Sequence, residues 1–276
     1  MVNKLKIAIA GLDSFFFSRM FAKHLAANPS AELVGCATLG VDDESIMKNC
    51  GLTPEQYAEE FRIPVFGEIG SMLEETGAEA VVLTTRPSAM PGVLGKLAER
   101  DVHIYAAKPV CVSEEGLAQL ESLAAGGRVF SAGPTARFDP VIREAQAKVA
   151  GGEIGAVTSI RVMHQHGMLK FWPGECWYYE EKEGGIESFL AWYCLDLLRW
   201  FTGLEVDGES LQGVAANLTD RGSPHADVLK AVCSLGGGKS LGSFDVLFNV
   251  SWPYPMFELE IIGTKGALRI QQDAYE

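Results

Sequence analysis

The chain opens on an apolar run, "KIAIA" at 6–10, and for about 130 residues short apolar runs alternate with segments long enough for helices. "KIAIA" leads into 14–27, "ELVGCATL" is followed by 53–61, "AEAVVLTT" by 91–100 and "VHIYAA" by 113–125, with "RVFSAG" closing the series. Strands separated by helix-length stretches predict right-handed βαβ units, hence a parallel sheet covered on both faces. The punctuation agrees: Asn28-Pro29 stops the first helix, and Ser113 followed by Glu114 and Glu115 suits a helix start, where acids meet the positive end of the dipole. From "RVFSAG" onward the rhythm changes. Strand-like runs "AVTSIRVMHQH", "SLQGVAANLT", "VLKAVCSLG", "SLGSFDVLFNV" and "FELEIIGTKGALRI" accompany one strong helix over 188–201, closed by Gly203 at the left-handed position. The expected fold is α/β: a Rossmann-type doubly wound domain over 1–130, then an α+β domain over 131–276 with a largely antiparallel open sheet.

Composition narrows the partners. With 47% hydrophobic and 21% charged residues the chain is an ordinary packed globular protein. A formal net charge of -13 repels the phosphates of nucleic acids and anionic membranes, which points to a small molecule as partner. The six cysteines are dispersed and form no CxxC pair, so no zinc site is expected and reduced thiols in the cytoplasm are the default. The N-terminus has the two lysines and apolar run of a signal peptide, but Asp13 and Arg19 interrupt it and no A-x-A site follows. No apolar stretch approaches the roughly 18–20 residues of a membrane-spanning helix. The runs "VLFNV" and "FELEII" are expected to leave apolar residues on the outer face of the second sheet, predicting a homo-oligomer, most simply a dimer.

In a dinucleotide-binding G-x-G-x-x-G turn the first glycine makes the turn, the second admits the pyrophosphate and the third lets helix and strand pack closely. Here the run is Gly11-Leu12-Asp13-Ser14-Phe15-Phe16, so only the first glycine remains. Asp13 would cap the helix in the place of a phosphate. The acid that usually binds the ribose at the end of the second strand is replaced by Thr38. Thr84, Thr85 and Arg86 follow a strand at its C-terminal end, where open α/β sheets bind ligands, and are further cofactor-facing candidates.

Four ordered stretches resemble the Gfo/Idh/MocA oxidoreductases. "VHIYAAKPVCVSEEGLAQL" is similar to the segment with their E-K-P motif, and "ARFDPVIREAQAKVAGGEIGAVTSIRV" to their R-F-x-P followed by G-x-I-G. "GGIESFLAWYCLDLLRWFTG" resembles their G-G-x-x-x-D-x-x-x-H-x-x-D helix, and "LEIIGTKGALRI" their late G-T-x-G strand pair. The resemblance implies a Rossmann domain and hydride transfer between NAD or NADP and a sugar- or polyol-like hydroxyl or carbonyl compound. Lys108 of "AAKPV" matches the family's catalytic lysine, although Ala107 replaces the preceding glutamate. Tyr193 stands at the usual histidine, Asp196 keeps the last aspartate, and Phe189 or a neighbour stands at the first. Some family members look similar in placing a tyrosine there.

The implied acid/base pair is Lys108 and Tyr193: oxidising an alcohol requires a base, and a phenol serves only if a neighbouring ammonium favours its phenolate. Phe189, Tyr193, Leu197 and Trp200 also recur at the spacing of a buried helix face, so a core role stays open. His164 and His166 share one face of a strand. They suit the rim of a substrate cleft, with Trp172 and Trp177, better than a metal site, for which Glu175 and Cys176 are the nearest further candidates. The rival to the enzyme is a binding or regulatory protein on the same scaffold, favoured by Asp13, Phe16, Thr38, Ala107 and Phe189.

Overall fold

The computed structural model describes residues 4–125, 127–167, 177–185, 189–219, 224–250 and 255–273. The chain divides into two compact units, Met1–Gly133 and Pro134–Glu276.

In the first unit, β1 (Leu5–Ala10), β2 (Ala31–Ala37), β3 (Val65–Phe66), β4 (Ala80–Leu83), β5 (His103–Ala106) and β6 (Phe130–Ala132) form one sheet, ordered β3-β2-β1-β4-β5-β6. Every pairing in it is parallel. This is the doubly wound order, in which the strand sequence reverses between β1 and β4 and leaves a crevice beyond their C-terminal ends. The helices are α1 (Phe17–Ala27), α2 (Asp43–Cys50), α3 (Pro54–Phe61), α4 (Ile69–Thr76), α5 (Met90–Leu97) and α6 (Glu114–Ala125). The first starts three residues later than its apolar pattern suggests, because Phe15 takes a left-handed φ of 51° and Phe16 becomes the N-cap. In α3, Thr53 and Gln56 form a reciprocal capping box with Pro54 in the first turn, so the local sequence fixes the start. Ile9, Leu12, Ala22, Cys36, Ile46, Tyr57 and Val82 form a buried cluster under β1 and β2.

The second unit holds α7 (Pro140–Ala150), β7 (Val157–Gln165), α8 (Ala191–Thr202), β8 (Gln212–Ala216), β9 (Val228–Leu235), β10 (Ser240–Leu247), β11 (Pro255–Gly263) and β12 (Ala267–Asp273). Its sheet runs β12-β11-β7-β10-β9-β8, antiparallel throughout except for the parallel β7–β10 pair. Helix α8 packs on β7 and β10, and α7 on β12. The pattern on β11 alternates cleanly: Phe257, Leu259 and Ile261 are buried, while Glu258 and Glu260 turn the other way.

That alternation narrows the expectation for the outer face, on which Ile262 of "FELEII" is exposed. "VLFNV" and "FELEII" send Val246, Phe248, Phe257, Leu259 and Ile261 inward. The other face carries a band of cross-strand partners: Arg161 and Lys230 on Asp245 at 2.8 and 2.9 Å, Arg269 on Glu260 at 2.7 Å, and Gln165 on Glu258 at 3.1 Å. Exposed Val214, Val232, Leu241 and Ile262 flank this band, so the face is mixed rather than apolar. Among the described residues no helix is long and apolar enough to cross a membrane.

Candidate functional site

The first cluster lies where β1, β4 and β5 end. Gly11 has a φ of +89°, and a Cβ there would lie 2.6 Å from the Thr85 backbone nitrogen, so both conformation and space require glycine. The turn is stitched to the exit of β4: the Thr84 N–H donates to the Ala10 carbonyl at 2.8 Å and its hydroxyl to the Gly11 carbonyl. Thr85 Oγ1 donates to Asp13 at 3.4 Å, and Arg86 Nε lies 3.1 Å from the other carboxylate oxygen. Asp13 and Arg86 are both largely withdrawn from water, and such a pair is costly to break because it strands one charge. The carboxylate expected to cap α1 is thus engaged with the β4 exit. Phe16 supplies no side-chain cap and the first turn of α1 holds no acid.

Leu12 and Phe15, expected to face a cofactor, place their side chains in the core, and Ser14 is buried as well. Thr38 directly follows β2, its N–H donating to the Phe66 carbonyl at 2.8 Å, and the turn beyond it takes left-handed φ values at Leu39 and Gly40. A tight glycine turn at the strand reversal, together with an uncapped helix end, fits the diphosphate of a dinucleotide. The misfit is local, at Asp13.

Lys108 lies two residues past β5, with Nζ 5.7 Å from the centroid of Phe17. It is half-buried, and desolvation of its ammonium lowers its pKa well below the usual lysine value. This changes what Lys108 offers. Burial penalises its charged form relative to that of an exposed lysine. Burial pushes the Cys36 thiol up to about 12 and raises that of Cys194, so neither is poised as a nucleophile.

The second cluster is built on α8. Tyr193 is 8% exposed, and its hydroxyl lies 3.2 Å from that of Thr135, which is itself exposed. One helical turn on, Asp196 accepts from Arg137 Nε at 2.7 Å and from Nη2 in a bidentate pair, and the guanidinium lies 5.4 Å from the Trp200 ring. Thr135 and Arg137 belong to one short 3-10 turn, Thr135–Phe138, so a single turn grips two successive levels of the helix. His164, 2% exposed on β7, stacks on Phe257 at 4.1 Å and meets the Tyr193 ring edge-on at 5.0 Å. Its Nδ1 lies 3.4 Å from the Leu190 carbonyl just before the helix. Half-buried His166 lies just past β7, its N–H donating to the Leu247 carbonyl at 2.8 Å.

Tyr193, His164 and Asp196, singled out from sequence, therefore gather around one helix, with Asp196 clamped by Arg137. Sequence reasoning missed Thr135 and Arg137, although Arg137 is the arginine of the R-F-x-P stretch "ARFDP" and Thr135 directly precedes that stretch. Trp177 is buried, whereas Trp172, Glu175 and Cys176 lie outside the described residues. Among the described residues no group of three metal-binding side chains converges.

Residues 142–269 match the GFO/IDH/MocA C-terminal domain. The chain is 27% identical over 219 residues to scyllo-inositol 2-dehydrogenase (NAD(+)) of Bacillus subtilis (strain 168), a match covering 78% of this chain and 62% of that relative. Among solved structures, myo-inositol 2-dehydrogenase from Lactobacillus plantarum superposes with a TM-score of 0.80 at 20% identity, covering 97% of this chain and 76% of that one. Scyllo-inositol dehydrogenase from Lactobacillus casei, solved with NAD(H) and scyllo-inositol, gives 0.78 at 23% identity over the same shares. At these identities the superpositions establish the fold.

Proposed function

We propose that the chain is a Gfo/Idh/MocA oxidoreductase, an NAD(P)-dependent enzyme acting on a cyclic polyol or a similar small hydroxyl or carbonyl compound, as the match of its C-terminal region and its likeness to an inositol dehydrogenase support. The observation that carries the reading is the Tyr193 cluster. A buried phenol with its hydroxyl tied to a second hydroxyl, its ring against His164 and its helix clamped through Asp196 is built for a fixed oxygen position. A hydrophobic stripe needs none of these polar partners.

When bound, NAD(P) supplies the two-electron acceptor or donor. Gly11 and the uncapped N-terminus of α1 would hold its diphosphate, and Arg86 is the nearby cation. Tyr193 exchanges the substrate hydroxyl proton. Lys108, whose ammonium is penalised by burial, would stabilise the negative charge that develops on the substrate oxygen. His164 orients the phenol, and His166 serves as a polar substrate contact.

The expected substrate range, cytoplasmic location and homodimeric state belong to the same proposal. A dimer would use the outer face of the second sheet, where Val214, Val232, Leu241 and Ile262 surround the charged band. A monomeric mass by light scattering at micromolar concentration would contradict it.

Asp13 favours the second reading, a binding or regulatory protein without hydride transfer, because a carboxylate stands where the family admits pyrophosphate. Titration of the purified chain with NADH and NADPH, followed by nicotinamide fluorescence, separates the two. Saturable enhancement supports the enzyme. No response at millimolar nucleotide would leave the binding protein.

A further inference from the structure

A buried general acid or base must exchange protons with water once per turnover, and burial alone would isolate Tyr193. At 8% exposure it has little direct access to solvent, yet its hydroxyl lies 3.2 Å from that of exposed Thr135. The contact is overdetermined. Thr135 sits on the turn whose Arg137 makes a bidentate pair with Asp196, three residues beyond Tyr193 on the same helix. Asp196 is itself 7% exposed, so this pair is a strong tether that holds the turn at one height along α8. The cation over Trp200 fixes the guanidinium further. Moving Thr135 away from Tyr193 would require breaking that clamp.

We propose that Thr135 is a positioning residue for Tyr193 and relays its proton to solvent. The proposal rests on the reading of Tyr193 as the group that exchanges the substrate proton. In alcohol oxidation the carbinol hydride leaves to NAD(P)+, and the hydroxyl proton passes to the Tyr193 phenolate as the carbonyl forms. The phenol then gives its proton to Thr135 Oγ1 while Thr135 releases its own to water, which restores the phenolate and sends one proton to solvent. Carbonyl reduction runs the same chain backward. Between turnovers the Thr135 hydroxyl donates to the phenolate and stabilises its charge.

The test uses the full chain and the variants Thr135→Val, which keeps the shape and removes the hydroxyl, Thr135→Ser, which keeps the hydroxyl, and Tyr193→Phe. In the protein without ligands, the tyrosinate absorbance that disappears in Tyr193→Phe should titrate about one pH unit higher in Thr135→Val and near the wild-type position in Thr135→Ser. With substrate, Thr135→Val should lower kcat about tenfold, enlarge the solvent deuterium isotope effect and recover partly when imidazole buffer is added, with cofactor affinity and Tm unchanged. Thr135→Ser should restore kcat. A Thr135→Val protein with wild-type titration, kcat and isotope effect overturns the relay while leaving Tyr193 in place. Full turnover in Tyr193→Phe overturns both the relay and the reading beneath it.

Discussion

The two clusters depart from the family pattern in opposite ways. In the first unit the replaced residue is neutralised locally: Asp13, in place of the second glycine, is paired with Arg86 and Thr85 at the exit of β4. In the second unit Tyr193, in place of the usual histidine, sits in a polar network that fixes its oxygen and connects it outward. On the proposed reading, the first departure preserves the fold at the expense of nucleotide affinity, and the second keeps a proton-handling group in a new chemical form. A mismatch to a motif is therefore best judged by what its side chain touches.

The sharpest way to break the contrast is Tyr193→Phe, which keeps the ring against His164 and Phe257. Turnover should fall by roughly 10²- to 10⁴-fold, the usual worth of a general acid/base, with little change in Tm. Unchanged kinetics would return Tyr193 to the core. Next in size, Asp196→Ala leaves Arg137 without its carboxylate. Thermal or denaturant unfolding should show a loss of about 1–3 kcal/mol, less than for a fully dry pair because Arg137 is partly exposed.

Lys108→Met should separate stability from function. Burial lowers the folded-state pKa of Lys108, so between that value and the unfolded value near 10.4 the unfolded chain binds more protons. Folded stability consequently rises with pH across that interval, and the penalty is complete below it. The variant should melt higher than the wild type near neutral pH, the gap closing as pH approaches the ordinary lysine range, and turnover should drop. Melts at several pH values check the sign. The smallest effect is on binding: Asp13→Gly should tighten NADH or NADPH by about 1 kcal/mol, roughly fivefold, by removing a negative charge at a helix end. Unchanged or weaker binding in the folded variant, measured by fluorescence titration, would show that Asp13 does not obstruct the nucleotide.

The strand-helix rhythm made the parallel sheet legible, since β4 and the buried end of β1 are continuous apolar runs. Less visible were α2 and α4, eight residues each with only two buried positions apiece. In α2 the start is set by the Asp42 side chain on the Ser45 N–H at 2.8 Å and the end by left-handed Gly51, signals weaker than periodicity. The signal for α7 is present in the sequence, with Asp139 and Pro140 at its start and Ile142, Ala145 and Val149 on one buried face. Tyr193 was legible as a candidate through resemblance. Its partners were not, because Thr135 and Arg137 lie 58 and 59 residues before Tyr193 and Asp196 and share no period with them. Which apolar residues reach the outer sheet face was not legible, because composition of a run does not reveal which side each residue takes, which depends on register.

The most direct test of hydride transfer combines the purified chain with NAD+ or NADP+ and a panel of cyclic polyols, following the near-ultraviolet absorbance of the reduced nicotinamide, in wild type and Tyr193→Phe side by side. The account predicts substrate-dependent growth of that absorbance in the wild type and a loss of at least about a hundredfold in the variant at equal melting temperature. Folded wild-type protein that binds the nucleotide yet transfers no hydride with any polyol, or a variant as fast as the wild type, would contradict it.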